Sequence, residues 1–402
     1  MTTIVGPNLE LGTTGFAACG TWVTIELQAP AVERLLARAR RLVEQLEGLL
    51  SRFRPDSDVS RLRAAAPGWV EVSPDCDTVL AAARRGQRLT GGAFDPCALD
   101  CRVLDSRARP GGGARPAGGP WPSRPAPEPG GQRRWRLPAG ARLDLGGIAK
   151  GHIADRVRAL CQSQGAVSGL VSLGTSSIAL WGGAARGQSW RVGVRDPGPA
   201  PVAAGRVGAP GPTPTSAETV TGREGRVRAG APAAGRTPVG GDGSGRDGAS
   251  ALAPTGWNGR VRAGVSAAGW TPVGGDGSGR DGAPASGRSE RGRALGVIEL
   301  DEGALSTSGG DERGGHVVDP RSGAPAAGCL QAVVWARRAV WAEVWATALL
   351  VLGCPGLVEH HGPAGFEALL VTGETVVASG GLSGFQPFGW ERLGIEVANG
   401  LG

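Results

Sequence analysis

Four segments of the 402-residue chain combine glycine, carboxylate and hydroxyl side chains at spacings that packing alone does not require. The first is Leu143-Asp144-Leu145-Gly146-Gly147-Ile148-Ala149-Lys150-Gly151. A strand is expected to end at Asp144 and a helix to begin near Ile148. The paired glycines between them would let a ligand approach the backbone, and amides at a helix start attract phosphate. Lys150 is the only lysine among 43 basic residues, and its compact ammonium is not interchangeable with a guanidinium. The second segment runs from Ser308 to Pro320 and contains His316, one of four histidines, with Asp319 three residues on. An imidazole titrates near neutrality, which suits proton transfer. In the third, Ala339 to Leu349, Glu343 and Thr347 are the only polar residues and fall on one helix face at i, i+4. A carboxylate in an apolar helix needs a partner, and a hard divalent cation would be one; an exposed helix edge is the plainer alternative. The fourth comprises Phe53 to Leu62 and Gly91-Gly92-Ala93-Phe94-Asp95-Pro96, each read as a turn after a helix.

The elements that must position these residues read as an α+β domain. Val23, Ile25 and Leu27 alternate with Trp22, Thr24 and Glu26, a half-buried strand. Pro30 then opens a helix whose apolar stripe includes Leu35, Leu36, Ala39, Val43 and Leu46. Ser73-Pro74-Asp75 starts another helix. Strands are expected at 167–173, 190–195, 296–300, 330–335 and 367–372, and helices at 148–163 and 338–352.

Composition marks what is not part of that domain. Gly and Pro together make up 101 residues, about a quarter of the chain and close to the low-complexity range. They concentrate in two tracts, 107–140 and 197–293. Within 201–290 only nine residues are Leu, Ile, Val or Phe, too few to offset the entropy of ordering, so disorder is expected. Residues 225–249 recur at 259–283 with three differences, a duplication without the apolar periodicity that stacked repeats need. The net charge of +7 resides in these tracts and the remainder is mildly acidic, which argues against nucleic-acid binding. Seven cysteines without a CxxC pair suggest reduced, buried thiols rather than a zinc site or a disulfide scaffold. The start has no basic and apolar leader pattern. The best apolar run, Ala339 to Cys354, is interrupted by Glu343 and too short to span a bilayer. A cytoplasmic protein without a membrane span is the expectation.

Taken together and in order, LDLGGIAKG at 143–151, GGAFDP at 91–96, SRFRPDSDVSRL at 51–62, SGGDERGGHVVDPRSG at 308–323 and AEVWATALLVLG at 342–353 resemble the FAD:protein FMN transferases of the ApbE type. The resemblance covers about 17–106, 141–196 and 294–395. It implies one flavin transferase domain, with mixed or antiparallel sheets flanked by helices, interrupted by the two tracts and divided as 17–106, 141–196 and 294–402. It further implies FAD as substrate and Mg2+ as cofactor, with the FMN moiety passed to a Thr or Ser hydroxyl of an acceptor flavoprotein and AMP leaving. Cys19, Phe53, Ala93, Phe94, Asp95, Asp144, Lys150 and Val317 would form the FAD site. Gly147, Glu343 and Thr347 would hold the metal, and His316 would be the general base. A FAD-binding relative without transfer, or a hydrolase giving FMN and AMP, are the alternatives. The chain departs from the family pattern at Glu343, where Asp is usual, at His152, an aromatic position, and at Cys19 and Phe53, which replace Met and Tyr. The extra methylene of Glu343 leads to the expectation of weak magnesium use, improved by Glu343→Asp.

Overall fold

Strands β1 (Glu10–Ala18) and β2 (Thr21–Ala29) pair as a hairpin through the two-residue turn Cys19-Gly20. Both turn residues have positive φ, 55° and 67°, the backbone twist that joins antiparallel strands tightly. In this computed structural model the described residues are 8–98, 127–184, 188–198, 294–309, 317–373, 375–379, 385–387 and 397–398, all within one folded unit. The duplication at 225–283 and His316 lie outside them, as does nearly all of the 197–293 tract.

The hairpin edges a nine-stranded sheet in the order β1-β2-β6-β7-β10-β11-β12-β13-β15. Its further strands are β6 (Ser168–Leu173), β7 (Ser177–Trp181), β10 (Gly303–Gly309), β11 (Gln331–Ala336), β12 (Phe366–Val371), β13 (Val376–Ala378) and β15 (Val397–Ala398). Every pairing is antiparallel except β13 with β15. Five helices are described: α1 (Val32–Leu50), α2 (Asp58–Ala65), α3 (Pro74–Leu89), α4 (Ala149–Ser163) and α5 (Ala339–Ala364). A large apolar core joins helices to one sheet face: Leu36, Val43, Val157 and Leu349 meet Val23, Ile25, Ala332 and Val334. On the opposite face Leu305, Val333, Trp335 and Leu369 pack against Val192 and Ile298. The last two belong to a second sheet of β8 (Trp190–Arg195), β9 (Ala294–Leu300) and β14 (Phe385–Pro387). Covered on both faces, β11 is buried along its whole length. Strands β3 (Val70–Glu71), β4 (Glu128–Pro129) and β5 (Arg134–Arg136) make a third, small sheet.

Several expectations change. Ser73 does cap α3, its hydroxyl accepting the Cys76 amide, with Pro74 in the first turn. Pro30, however, lies two residues before α1, because Ala31 takes a left-handed conformation and delays the helix. The segment 58–65 is helix α2 rather than a turn, capped by the Ser57 hydroxyl on the Ser60 amide. No strand precedes Asp144; residues 141–145 are irregular, tied down by the Asp144 amide bonding the Pro96 carbonyl at 2.7 Å. Residues 127–140, assigned to the Pro/Gly/Arg tract, are folded, because Trp135 and Leu137 carry enough apolar surface to join the main core. Helix α5 continues to Ala364 through a break at Gly353, whose φ of 64° a glycine tolerates. Among the described residues it alone is long and apolar enough to cross a membrane, and most of it is buried within the fold.

Candidate active site

The site is built where α4 and α5 meet at their N-termini. Contacts pair Gly151 with Glu343 and Asp155 with Ala339, so the two helices run antiparallel. They approach so closely that a Cβ on Gly151 would run into the Ala339 carbonyl and the Val340 Cα. The first turn of each helix leaves amides without intrahelical partners, and each helix borrows a carboxylate from the other. Asp155 of α4 accepts the Ala339 and Val340 amides at 2.9 and 3.2 Å. Glu343 of α5 accepts the Gly151 amide through Oε2 at 2.6 Å. Charge-assisted bonds to a helix N-terminus are what permit a carboxylate only 2 % exposed. Glu343 is therefore not an exposed helix edge.

The other oxygen, Oε1, is buried and has no hydrogen bond of good geometry, although the Lys150 ammonium stands 2.8 Å from it. That ammonium also donates to the Gly146 carbonyl at 3.0 Å. Thr347 lies one turn beyond Glu343, and a Cβ placed on Gly147 would sit 3.4 Å from its Oγ1. Gly147, Glu343 and Thr347 thus share one wall.

That wall belongs to a cleft of about 310 Å3 that also takes in Ala93, Phe94, Asp95, Asp144, Lys150 and Val317. Segments from Thr21 to Thr347 contribute to it. The Thr90–Asp95 turn is shaped by Gly91 and Gly92, both at positive φ, and by the Thr90 hydroxyl, which accepts the Phe94 amide at 3.0 Å. Asp95 accepts the Cys97 amide at 2.8 Å. Asp144 accepts the Gly146 amide at 2.9 Å and stands 3.5 Å from the Arg52 Nε.

Two expected residues are not brought to the cleft. Phe53 is 80 % exposed; its neighbour Arg52 lines the cleft instead, with its guanidinium stacked 4.4 Å from the Phe53 ring centre. Cys19 sits behind the wall, its amide bonded to Glu47 at 2.7 Å. Burial, with the Glu47 carboxylate adding to it, pushes its thiol up to about 12, so it stays protonated and is no nucleophile. Thr21, two residues on, faces the cleft.

Sequence reasoning missed Arg52, Thr21, Ser176 and the Ser306-Thr307 part of β10 just before the segment that opens at Ser308, all cleft-lining. The Ser306 hydroxyl donates to the Ser176 carbonyl at 2.6 Å and the Thr307 amide to the same carbonyl at 3.0 Å. The run of hydroxyl residues ending in glycine was a usable signal for that wall; nothing local distinguished Arg52 from other arginines. His152 is buried away from the cleft and bonded to Asp75 at 2.9 Å. Burial lowers its pKa despite that carboxylate. Among the described residues no three His, Cys, Asp or Glu side chains cluster as metal ligands, so a cation here would rest on Glu343 with hydroxyl and carbonyl oxygens.

The family model described as ApbE family matches residues 19–213 and 276–369, well over half of the chain. The chain belongs to the ApbE family. Solved structures agree on the ApbE fold. The flavin transferase ApbE of Vibrio cholerae aligns at 20 % identity and TM-score 0.60, over 94 % of this chain and 100 % of that one. The ApbE protein of Thermotoga maritima aligns at 19 % and 0.57, over 96 % and 99 %. The flavinyl transferase ApbE of Pseudomonas stutzeri, in its apo form, aligns at 18 % and 0.57, over 96 % and 97 %. No curated protein sequence matches the chain.

Proposed function

We propose that this ApbE-family chain is a flavin transferase that moves the FMN part of FAD to a Thr or Ser hydroxyl of an acceptor protein and releases AMP. The observation that carries the reading is the cleft itself. Nine residues drawn from four separated motifs converge on it, and Glu343, Thr347 and Gly147 meet there beside the one lysine.

The donor set fits a hard cation such as Mg2+. Glu343 Oε1 is a buried oxygen without a hydrogen bond, and the Lys150 ammonium already stands beside it as a positive charge. Glu343, the Thr347 hydroxyl and the Gly147 carbonyl would hold the ion, oxygen ligands of the kind Mg2+ takes. When bound, such an ion neutralises charge that develops on a pyrophosphate under attack. The chain's own residues do the rest. The Gly146-Gly147 backbone leaves room for the nucleotide, and Lys150 and Arg52 supply positive charge to its phosphates. His316 takes the proton from the acceptor hydroxyl. The freed oxygen bonds the FMN-side phosphorus, the bond from that phosphorus to the bridging oxygen breaks, and AMP leaves with that oxygen. Phosphoryl-type transfer depends on such positioning and charge more than on covalent help.

The test is incubation with FAD, Mg2+ and a Thr-containing acceptor domain. Covalent yellow colour on the acceptor with stoichiometric AMP is the expected result. AMP without labelled acceptor would point to hydrolysis, and bound FAD without either product to a carrier. His316→Ala should suppress labelling at least about a hundredfold, the usual contribution of a general base, while FAD affinity stays within a few-fold. Unchanged transfer would remove His316 from the reaction.

A further inference from the structure

We propose that Lys150 is the displaceable counter-ion of Glu343: a divalent cation that takes Glu343 Oε1 drives the ammonium out into the cleft, where it meets the phosphates of FAD, so that cation and FAD bind with positive cooperativity. This rests on the reading that Glu343 holds the metal.

The two oxygens of Glu343 have different partners. Oε2 is fixed by the Gly151 amide at 2.6 Å, so the carboxylate cannot turn away from the cleft wall. Oε1 is left for a cation, and the one that occupies it is the Lys150 ammonium at 2.8 Å. No aligned hydrogen bond holds the ammonium there; its other partner is the neutral Gly146 carbonyl. A divalent ion at Oε1 would put like charges in contact, and repulsion at that range in a partly buried site is strong. Glu343 cannot move, whereas Lys150 can. Its side chain is 21 % exposed against 3 % for Glu343, and it hangs on four rotatable carbons at the edge of the cleft. Asp144 and Arg52, an ion pair at 3.5 Å, form the adjacent wall, so a released ammonium stays among cleft residues. An arginine here could not serve both sites, since its planar fork would bind the carboxylate through two donors. That accounts for a lysine in a chain whose other basic residues are all arginine. Because binding free energies are reciprocal, FAD that captures the ammonium must in turn tighten the cation.

The chain's single lysine makes the displacement directly readable. Mn2+ binding would be followed by electron paramagnetic resonance without nucleotide, in the parent, Glu343→Gln and Lys150→Met. Lys150→Met should bind Mn2+ about tenfold more tightly than the parent, a coupling of ordinary allosteric size, and Glu343→Gln should bind it far more weakly. In the parent, acetylation of Lys150 by an active ester, read by mass spectrometry, should speed up several-fold when Mn2+ is added and slow again when FAD follows. This second measurement stands even if Lys150→Met does not fold. If Mn2+ binds through Glu343 but neither its affinity nor Lys150 acetylation responds, the ion pair is fixed and the counter-ion proposal fails alone. If Glu343→Gln leaves Mn2+ binding unchanged, or no form binds it, the metal reading fails and takes the proposal with it.

Discussion

The two faces of the nine-stranded sheet are buried in different ways. The face under β8, β9 and β14 is sealed by Leu180, Trp190, Ile298, Trp335 and their apolar neighbours. The helical side holds the buried carboxylates and the buried imidazole of the described residues: Asp58, Asp95, His152, Asp155 and Glu343. The four carboxylates share one solution, which is to accept backbone amides. Asp58 takes that of Ser73, Asp95 that of Cys97, Asp155 those of Ala339 and Val340, and Glu343 that of Gly151. A sheet spends its amides on its own ladders, whereas helix starts and turns have amides to spare. Charge can be buried on one face and not on the other, and the cleft forms on the face that can bury it.

Variants matched in stability but placed on opposite faces test this contrast most severely. Asp155→Ala leaves two α5 amides and Arg158 without their carboxylate and should cost about 3–5 kcal/mol, as broken buried charge pairs do. Trp335→Ala empties a fully buried site behind the sheet and should cost about the same, 3–5 kcal/mol. Urea unfolding would measure both. FAD affinity of the folded fraction should fall in Asp155→Ala and stay within about twofold in Trp335→Ala, whose side chain packs on the sheet face away from the helices. Equal losses of FAD affinity would erase the distinction between the faces.

Glu343→Asp comes next. The methylene that sets Glu343 apart from the family pattern lets Oε2 accept the Gly151 amide, which argues against a gain from shortening it. Loss of that charge-assisted bond should cost about 1.5–3 kcal/mol in stability. Mn2+ affinity should fall rather than rise, and a tighter-binding Asp variant would show the helix is not set around Glu. Gly151→Ala should cost about 1–3 kcal/mol by overpacking the helix crossing, visible as a lower Tm; a neutral result would mean the crossing gives way easily.

The smallest effect concerns His152. Burial holds its folded pKa below that of a free imidazole, about 6.5. The unfolded chain therefore takes up its proton at higher pH than the folded one. Stability from this group is complete above the free value and declines as pH falls toward the folded one. Thermal melts between neutral and mildly acidic pH should show a shallower decline in His152→Gln than in the parent; equal slopes would assign the acid sensitivity to other groups.

Much of this was legible in the residues themselves. Alternation found β2, apolar strand-like stretches marked β6, β8, β9, β11 and β12, and Ser73-Pro74 marked the start of α3, because local pattern and capping are properties of the sequence itself. Gly-Gly before Lys150 and the isolated Glu343 and Thr347 marked the cleft wall for the same reason. The irregular approach to Asp144, the folding of Trp135 and the substitution of Arg52 for Phe53 in the cleft were not legible, since each depends on a partner far along the chain; helix α2, by contrast, carries a local cap at Ser57 that was read as a turn. The pairing of Glu343 with Gly151 spans 192 residues. The sequence determined which residues could carry charge and where helices begin. Only the tertiary structure decided which carboxylate meets which orphaned amide, because an amide left open by one helix is satisfied by whatever the fold packs against it.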